Sequence, residues 1–354
     1  MLLPISNKDF VEDMLLATEL AGRVLEYAAN RGEGGYDMED FKRKTQDGTW
    51  LARKKPIRDA LKKTLKLTQK EREDLWEAVN NDIHFYEKLD DPAFEFKYRG
   101  LPAAARQAGD ELLLQFYEIL KKSGFSKLTG QRLERLDGAI LEELYRQGNK
   151  NCSICPACLT AFLPRAVDEI SQNDREHYFP QSLYPSLAVH PYNLAISCIP
   201  CNQRRHSNID PISKHKAGAL LDSFLPYSRP GIDDVELRFS PEEKENMVRL
   251  SGKQGRTRAV ARARNFDRMY KLSKFWSGLF GEVDRNLAQS AFNGVSTLTL
   301  ENIGKELERI VRVNDAIKFT EPAAYLKGRY AAWLLLDKHL ETWFESWKTA
   351  FGAY

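Results

Sequence analysis

Apolar residues recur every three or four positions through the first part of the chain, the spacing that lines them up on one face of an α-helix. Phe10, Met14, Ala17, Ala21, Val24 and Ala28 carry the first such stripe. Ser6-x-x-Asp9 ahead of it resembles a capping box, and Gly32-Glu33-Gly34-Gly35 behind it ends the run. A second capping box, Thr68-x-x-Glu71, predicts a helix running to about Phe85. The same period continues over residues 101–122 and 131–146, with Gly124 and Gly148 as stops. Residues 1–150 are therefore expected to form a helical N-terminal domain.

Alternation replaces this period further on. Residues 235–239 and 247–250 read as two short strands, and a short β-hairpin is expected there. Ser240-Pro241-Glu242-Glu243 between them suits the start of a helical turn better than a tight reversal. Helical spacing then resumes. Thr320-Glu321-Pro322 places a cap and an early proline before Trp333, Leu336, Leu340, Trp343 and Trp347, which alternate spacings of three and four. Such an aromatic stripe predicts core packing or a seam against a partner helix. The domains expected are a helical region over 1–150, a small unit over 151–230, and a hairpin, basic helix and helical C-terminal region over 231–354.

A chain of 354 residues, 42% hydrophobic and 29% charged, is ample for a buried core. No apolar run approaches the ~20 residues that span a bilayer. Met1-Leu2-Leu3-Pro4 gives way at once to polar residues, unlike a secretory signal, so a cytoplasmic protein with no membrane association is expected. The net charge of +3 conceals a distribution: residues 42–70 hold eleven Lys/Arg against two Asp, and residues 249–274 hold nine against one. Stretches of this kind admit nucleic acid as a partner, the alternative being a solvated helix face. Arg258, Arg262 and, two turns on from Arg264, Lys271 recur near helical spacing and predict a stripe able to follow a phosphate backbone, with Arg256 as a further nucleic-acid contact.

All five cysteines fall between positions 152 and 201. In a reducing compartment such clustering favours metal ligation over disulfides. The pairs Cys155/Cys158 and Cys198/Cys201 can each offer two thiolates to one Zn²⁺, which accepts a closed tetrahedral site with bonds of ~2.3 Å. Cys152-Ser-Ile-Cys155 has the same spacing, so the first pair could slide. Pro156 suits a tight knuckle and Cys158 would otherwise be a free thiol, so Cys155/Cys158 is preferred and Cys152 is left over. A closed sulfur site has no position for water and by itself only scaffolds. Between the pairs lies Glu176-His177, a carboxylate beside an imidazole. In an extended segment neighbours point to opposite sides, so Glu176 can address a hard cation while His177 addresses water. Asn202 adds a neutral oxygen donor at the start of an expected helix, Asn202-Gln203-Arg204-Arg205-His206. One turn on, His206 shares its face as a further ligand or a phosphate contact, and the forked donors of Arg204 and Arg205 suit phosphate oxygens.

Taken in order, Cys-Pro-x-Cys, Glu-His-Tyr-Phe-Pro, Asn193-Leu194 and Cys-Ile-Pro-Cys-Asn resemble the HNH (ββα-metal) endonuclease family, including zinc-bearing members such as phage junction-resolving endonucleases. The match covers residues 155–208, roughly a sixth of the chain. It implies a small zinc-stabilised ββα-metal finger, which with the helical N- and C-terminal regions read above makes a mainly α protein. It further implies His177 as general base, Glu176 and Asn202 as ligands of a catalytic Mg²⁺ or Mn²⁺, the four cysteines as ligands of structural Zn²⁺, and Asn193 as the residue that holds the finger's loop and orients the histidine. The implied reaction is hydrolysis of DNA, most readily double-stranded, to 5′-phosphate and 3′-hydroxyl ends. One finger cuts one strand, so a double-strand break needs a homo-oligomer or two visits.

Most members of the family carry Asp where this chain has Glu176, one methylene longer. Glu-His occurs in HNH proteins of bacterial anti-phage systems that work beside an ATPase. Phe224-Leu225-Pro226-Tyr227 and Arg264-Asn265-Phe266-Asp267-Arg268 also resemble those proteins, which implies an antiviral defence role and an ATPase as protein partner. The alternative is a non-catalytic zinc-finger module that binds nucleic acid or protein. Among the other histidines, His190 before Pro191 is expected to shape the loop presenting Asn193. His84 and His339 read as ordinary helix residues, and His215 as part of a basic rim.

Overall fold

In a computed structural model, which describes residues 1–5, 8–32, 34–46, 50–119, 143, 145–147, 149, 153–163, 174–206, 208–212, 216–243, 247–336 and 338–351, the N-terminal region is helical. Its elements are α1 (Lys8–Ala29), α2 (Met38–Thr45), α3 (Lys55–Thr64), α4 (Gln69–Ile83) and α5 (Ala103–Ile119). Met14, Ala17, Ala21, Val24 and Ala28 of the α1 stripe are buried. The Phe10 side chain and the Ser6-x-x-Asp9 box lie outside the described residues. At Thr68 both halves of the capping box form: the Glu71 amide donates to the Thr68 hydroxyl at 3.3 Å, and the Thr68 amide donates to the Glu71 carboxylate at 2.9 Å. The stripes meet in a core of Leu20, Val24, Phe41, Leu61, Leu75, Val79, Leu112 and Phe116, among others. At ~1.5–3 kcal/mol per large apolar side chain removed from water, this burial outweighs the weak propensity of any one helix.

Arg72 and Asp82 satisfy this region's loose backbone ends. The buried Arg72 guanidinium donates to the carbonyls of Ala28 (2.8 Å) and Leu67 (2.7 Å), closing the end of α1 against the start of α4. The buried Asp82 carboxylate accepts from the amides of Lys97 (2.8 Å) and Tyr98 (3.1 Å) and fixes the turn that leads to α5. Of the helix expected over 131–146, only a last turn is described. There Tyr145 donates to the Ile154 carbonyl at 3.2 Å, and Arg146 donates to that of Leu163.

In the middle region β1 (Asp174–His177) pairs antiparallel with β2 (Leu194–Ser197), in a register that sets His177 opposite Leu194 and Glu176 opposite Ala195. A π-type helical turn, Pro200–His206, follows. It opens two residues before the expected start at Asn202. Next, β3 (Val235–Phe239) and β4 (Val248–Gly252) form a second antiparallel pair, Val235 opposite Gly252 and Phe239 opposite Val248. Their connection is long, and Ser240 begins a turn in which the Glu243 amide reaches the Ser240 carbonyl at 2.9 Å.

Helices complete the chain: α6 (Ala259–Tyr270), α7 (Leu272–Asn293), α8 (Leu300–Ile317), α9 (Ala324–Leu334) and α10 (His339–Phe351). The aromatic stripe is split between α9 and α10, and the first of these starts after Ala323, beyond the Thr320-Glu321-Pro322 signal. Different partners explain the break. Trp333 packs on Phe239 of β3, whereas the indole N–H of Trp343 donates to Asp284 of α7 at 2.6 Å and its ring lies against Phe292. Leu336, between them, is 58% exposed. The middle and C-terminal regions share one core that includes Cys155, Phe179, Ile196, Phe266 and Trp276, and it also takes in Met1, Leu2 and Leu3. No helix among the described residues is long and apolar enough to cross a membrane.

Candidate metal centre and the adjacent histidine hairpin

Residues 153–163 fold back on themselves to form the first knuckle. The Cys155 amide donates to the Ala161 carbonyl (2.8 Å), that of Leu163 to the Ser153 carbonyl (2.7 Å), and that of Leu159 to the Cys155 carbonyl (3.0 Å). The reversal puts Leu159 in the left-handed region, φ 60°, at a cost of ~1–2 kcal/mol for a residue with a Cβ. Burial of Leu159 in the core offsets it. The second knuckle follows β2 directly, with the Cys201 amide on the Cys198 carbonyl at 2.9 Å. The outer carbonyls of the first knuckle serve distant segments. Pro156 accepts from the amides of Leu2 and Leu3, Cys158 from the Trp276 indole at 3.1 Å, and Leu159 from the Ala323 amide at 2.9 Å.

The four sulfurs of Cys155, Cys158, Cys198 and Cys201 are buried and lie within 4.8 Å of one another. Cys158 and Cys198 are 3.9 Å apart. A tetrahedron with bonds of ~2.3 Å has edges of ~3.8 Å, so the donor set and its spacing fit a metal such as zinc. Cys152 lies outside the described residues. Hydrogen bonds from Cys155, Cys198 and Cys201 hold the Cys158 thiol well below its ordinary range, whereas burial pushes Cys155 up. Four thiolates around one divalent ion leave a net double negative charge in an apolar core, which is costly without donors aimed at it. Two are present. The Cys198 amide points at the Cys155 sulfur (3.4 Å), and the Arg205 guanidinium donates to the Cys201 sulfur (3.1 Å) while its central carbon lies 3.4 Å from the Phe275 ring centroid. Sequence reasoning had assigned Arg205 to phosphate; the structure turns it inward to sulfur.

His177 ends β1 and is partly buried. Its Nε2 donates to the Ala188 carbonyl at 3.1 Å, so the neutral ring carries its lone pair on Nδ1. The loop holding that carbonyl is stapled by the fully buried Asn193. Asn193 Oδ1 accepts from the Phe179 amide at 2.6 Å, and Nδ2 donates to the carbonyls of Phe179 (3.0 Å) and Leu187 (2.9 Å). His190 sets up Asn193 in turn: its Nδ1 accepts the Tyr192 amide at 3.3 Å and its Nε2 donates to the Ile83 carbonyl at 2.9 Å. Burial lowers the His190 pKa to about 3, which keeps the ring neutral in both roles. Tyr86 and Tyr192 stack at 3.3 Å, pressing the same loop onto the N-terminal region.

The other sequence-predicted residues divide. The Glu176 backbone pairs in β1, while its side chain and the whole of His215 lie outside the described residues. Asn202 follows Cys201 at once and is partly exposed, its amide on the Cys198 carbonyl at 3.1 Å. His206 is buried, its ring layered between Tyr178 (6.2 Å) and Tyr270 (5.2 Å). Arg204 is exposed. Each arginine of the basic stripe also has a partner within the chain. Arg256 faces Asp234 at 3.6 Å, Arg258 pairs with Asp222 at 2.8 Å, and Arg262, its side chain 14% exposed, donates to the Leu221 carbonyl at 2.9 Å.

Sequence reasoning also missed Tyr117 of α5, whose ring lies 5.0 Å from that of His177 with the planes at 71°. No local signal pointed to it, because the contact joins separate regions of the chain. Compared with protein-family models, with curated proteins and with solved structures, the chain matches none of them.

Proposed function

We propose that the protein is a metal-dependent endonuclease of the HNH type that hydrolyses phosphodiester bonds in DNA. The observation that carries this reading is His177, at the end of a strand, with Nε2 committed to the Ala188 carbonyl of a loop that Asn193 staples. In this reading Nδ1 of an imidazole so held would serve as the base for a water. As the water oxygen bonds to phosphorus, Nδ1 takes its proton and the bond from phosphorus to the 3′ oxygen breaks; that oxygen takes a proton from solvent water, leaving a 5′-phosphate and a 3′-hydroxyl. Glu176 within β1 and Asn202 just after β2 would hold Mg²⁺ or Mn²⁺. Such an ion, when bound, offsets charge on the phosphorane and the departing oxygen. Arg204 is the exposed cation of the following turn and is assigned to a backbone phosphate. The four cysteines would hold zinc as the scaffold of the hairpin. A defence role beside an ATPase rests on the sequence resemblance and belongs to the same proposal.

Purified protein is expected to nick supercoiled plasmid with Mg²⁺ or Mn²⁺. His177→Ala should abolish nicking while fold and DNA affinity persist, and a variant keeping more than a few per cent of activity removes His177 from the base role. The engagement of Arg205, Arg256, Arg258 and Arg262 within the chain favours a second reading, a zinc module that does not cut. Absence of nicking with zinc bound and any protein partner supplied selects it.

A further inference from the structure

Tyr117 sits near the end of α5, a helix whose Leu112, Leu113 and Phe116 are locked into the N-terminal core. Asp110 of the same helix accepts from the Tyr98 hydroxyl at 2.8 Å, so α5 is fixed along its length as well as on its apolar face. From this mount Tyr117, 6% exposed, sets its ring in a T-shaped arrangement at 5.0 Å from the His177 ring. An aromatic edge meeting a ring face is attractive and directional, because the ring face is negative and the edge positive. Among the described residues, the Ala188 carbonyl fixes Nε2 of the His177 imidazole and Tyr117 bears on the tilt of its ring plane. The carbonyl comes from the hairpin's own loop, but the tyrosine comes from the N-terminal helical region.

We infer that Tyr117 is a positioning residue that keeps the His177 imidazole in the single orientation and tautomer with Nε2 on the Ala188 carbonyl, and that the N-terminal helices act on the candidate catalytic group through this contact. The consequence for cleavage rests on the nuclease reading, whereas the orientation of the ring does not. The inference assigns the task to the ring, so Tyr117→Phe is expected to keep it, and Tyr117→Ala or Tyr117→Leu to remove it. Leu fills most of the volume without an aromatic edge and guards against collapse of the helix packing.

The test is ¹⁵N–¹H correlation spectroscopy of imidazole-labelled, zinc-loaded full-length protein, with the His177 signals assigned by their loss in His177→Gln. Wild type and Tyr117→Phe are expected to show one tautomer protonated at Nε2. Tyr117→Leu and Tyr117→Ala should show averaged signals from two ring states while their melting temperatures stay close to wild type. In the plasmid assay the same two variants should lose about tenfold in kcat with KM unchanged, and Tyr117→Phe should restore it. Wild-type tautomer signals in folded Tyr117→Leu and Tyr117→Ala overturn the inference. If wild type does not nick DNA, the nuclease reading falls and the spectra still decide the role of Tyr117.

Discussion

Replacing Asn193 by Ala tests whether a single amide holds the histidine hairpin together. The side chain is wholly buried and serves three backbone groups, the amide and carbonyl of Phe179 and the carbonyl of Leu187. Phe179 and Leu187 are themselves fully buried, so little water can replace the lost partner. A buried polar group left without a partner costs ~1–3 kcal/mol, an N–H near the top of that range and a carbonyl near the bottom. The Leu187 carbonyl keeps the His190 amide at 3.1 Å, so two groups are orphaned, for a sum of about 2–5 kcal/mol, a large share of the ~5–15 kcal/mol that separates a folded chain from its unfolded ensemble. Urea titration of zinc-loaded protein, followed by tryptophan fluorescence, reads this directly as a lower midpoint at constant slope. Asn193→Asp is the informative companion. It keeps an acceptor for the Phe179 amide but sets a carboxylate against two carbonyls, so its pKa is raised by folding. Its stability should therefore be greatest at low pH, where the protonated group can donate, and should fall as pH rises through the folded pKa. A loss of less than 1 kcal/mol in Asn193→Ala, with zinc content intact, would refute the staple as described.

Other expectations concern the metal cluster and its acid sensitivity. Cys198→Ser should lower zinc content and melting temperature together, and a zinc stoichiometry that stayed at one per chain would remove Cys198 from the ligand set. Arg205→Met keeps the packing on Phe275 but removes the donor to the Cys201 sulfur, so zinc should pass to a chromogenic chelator about tenfold faster, in line with losing one charge-assisted hydrogen bond. An unchanged transfer rate would show that the guanidinium does not offset the cluster's charge. For His190, the folded pKa of about 3 lies below the ordinary 6.5, so the unfolded chain takes up a proton that the folded chain refuses. That contribution is fully present above pH 6.5 and is lost as pH falls towards 3, by ~5 kcal/mol over the interval. Stability measured between pH 7 and 4 should decline much less steeply in His190→Asn, and parallel curves for the two proteins would contradict this assignment.

What could be read in the sequence was local. The Thr68 capping box, the α1 stripe and the two cysteine pairs each depend on residues within one or two turns, and all appear where their spacing put them. The role of His190 was also accessible, because a histidine before proline sits beside the residue it presents. Contacts between distant segments were not accessible. Helical spacing grouped Arg258, Arg262 and Lys271, but Asp222 and Asp234, which face Arg256, Arg258 and Arg262, lie on earlier segments, and no period reveals which face meets which partner. The Arg205 contacts were hidden for a related reason. A guanidinium suits phosphate and thiolate alike, and only the fold brings Cys201 and Phe275 within its reach. The C-terminal stripe looked continuous because spacing counts residues and says nothing of two separate docking sites, one on β3 and one on α7.

Three neighbouring carbonyls of the first cysteine knuckle, those of Pro156, Cys158 and Leu159, are claimed by Leu2 and Leu3, by Trp276 and by Ala323. During synthesis, then, the knuckle waits, since its last tether is translated long after its own cysteines and even after Cys198 and Cys201. Excised as a cassette, residues 151–230 would leave these oxygens to solvent and bare the apolar floor beneath the sulfurs. Capture of the ion is thus expected among the closing events of maturation, and its removal should be sensed at residues hundreds of positions apart, which hydrogen exchange at Leu2 and Ala323 can report.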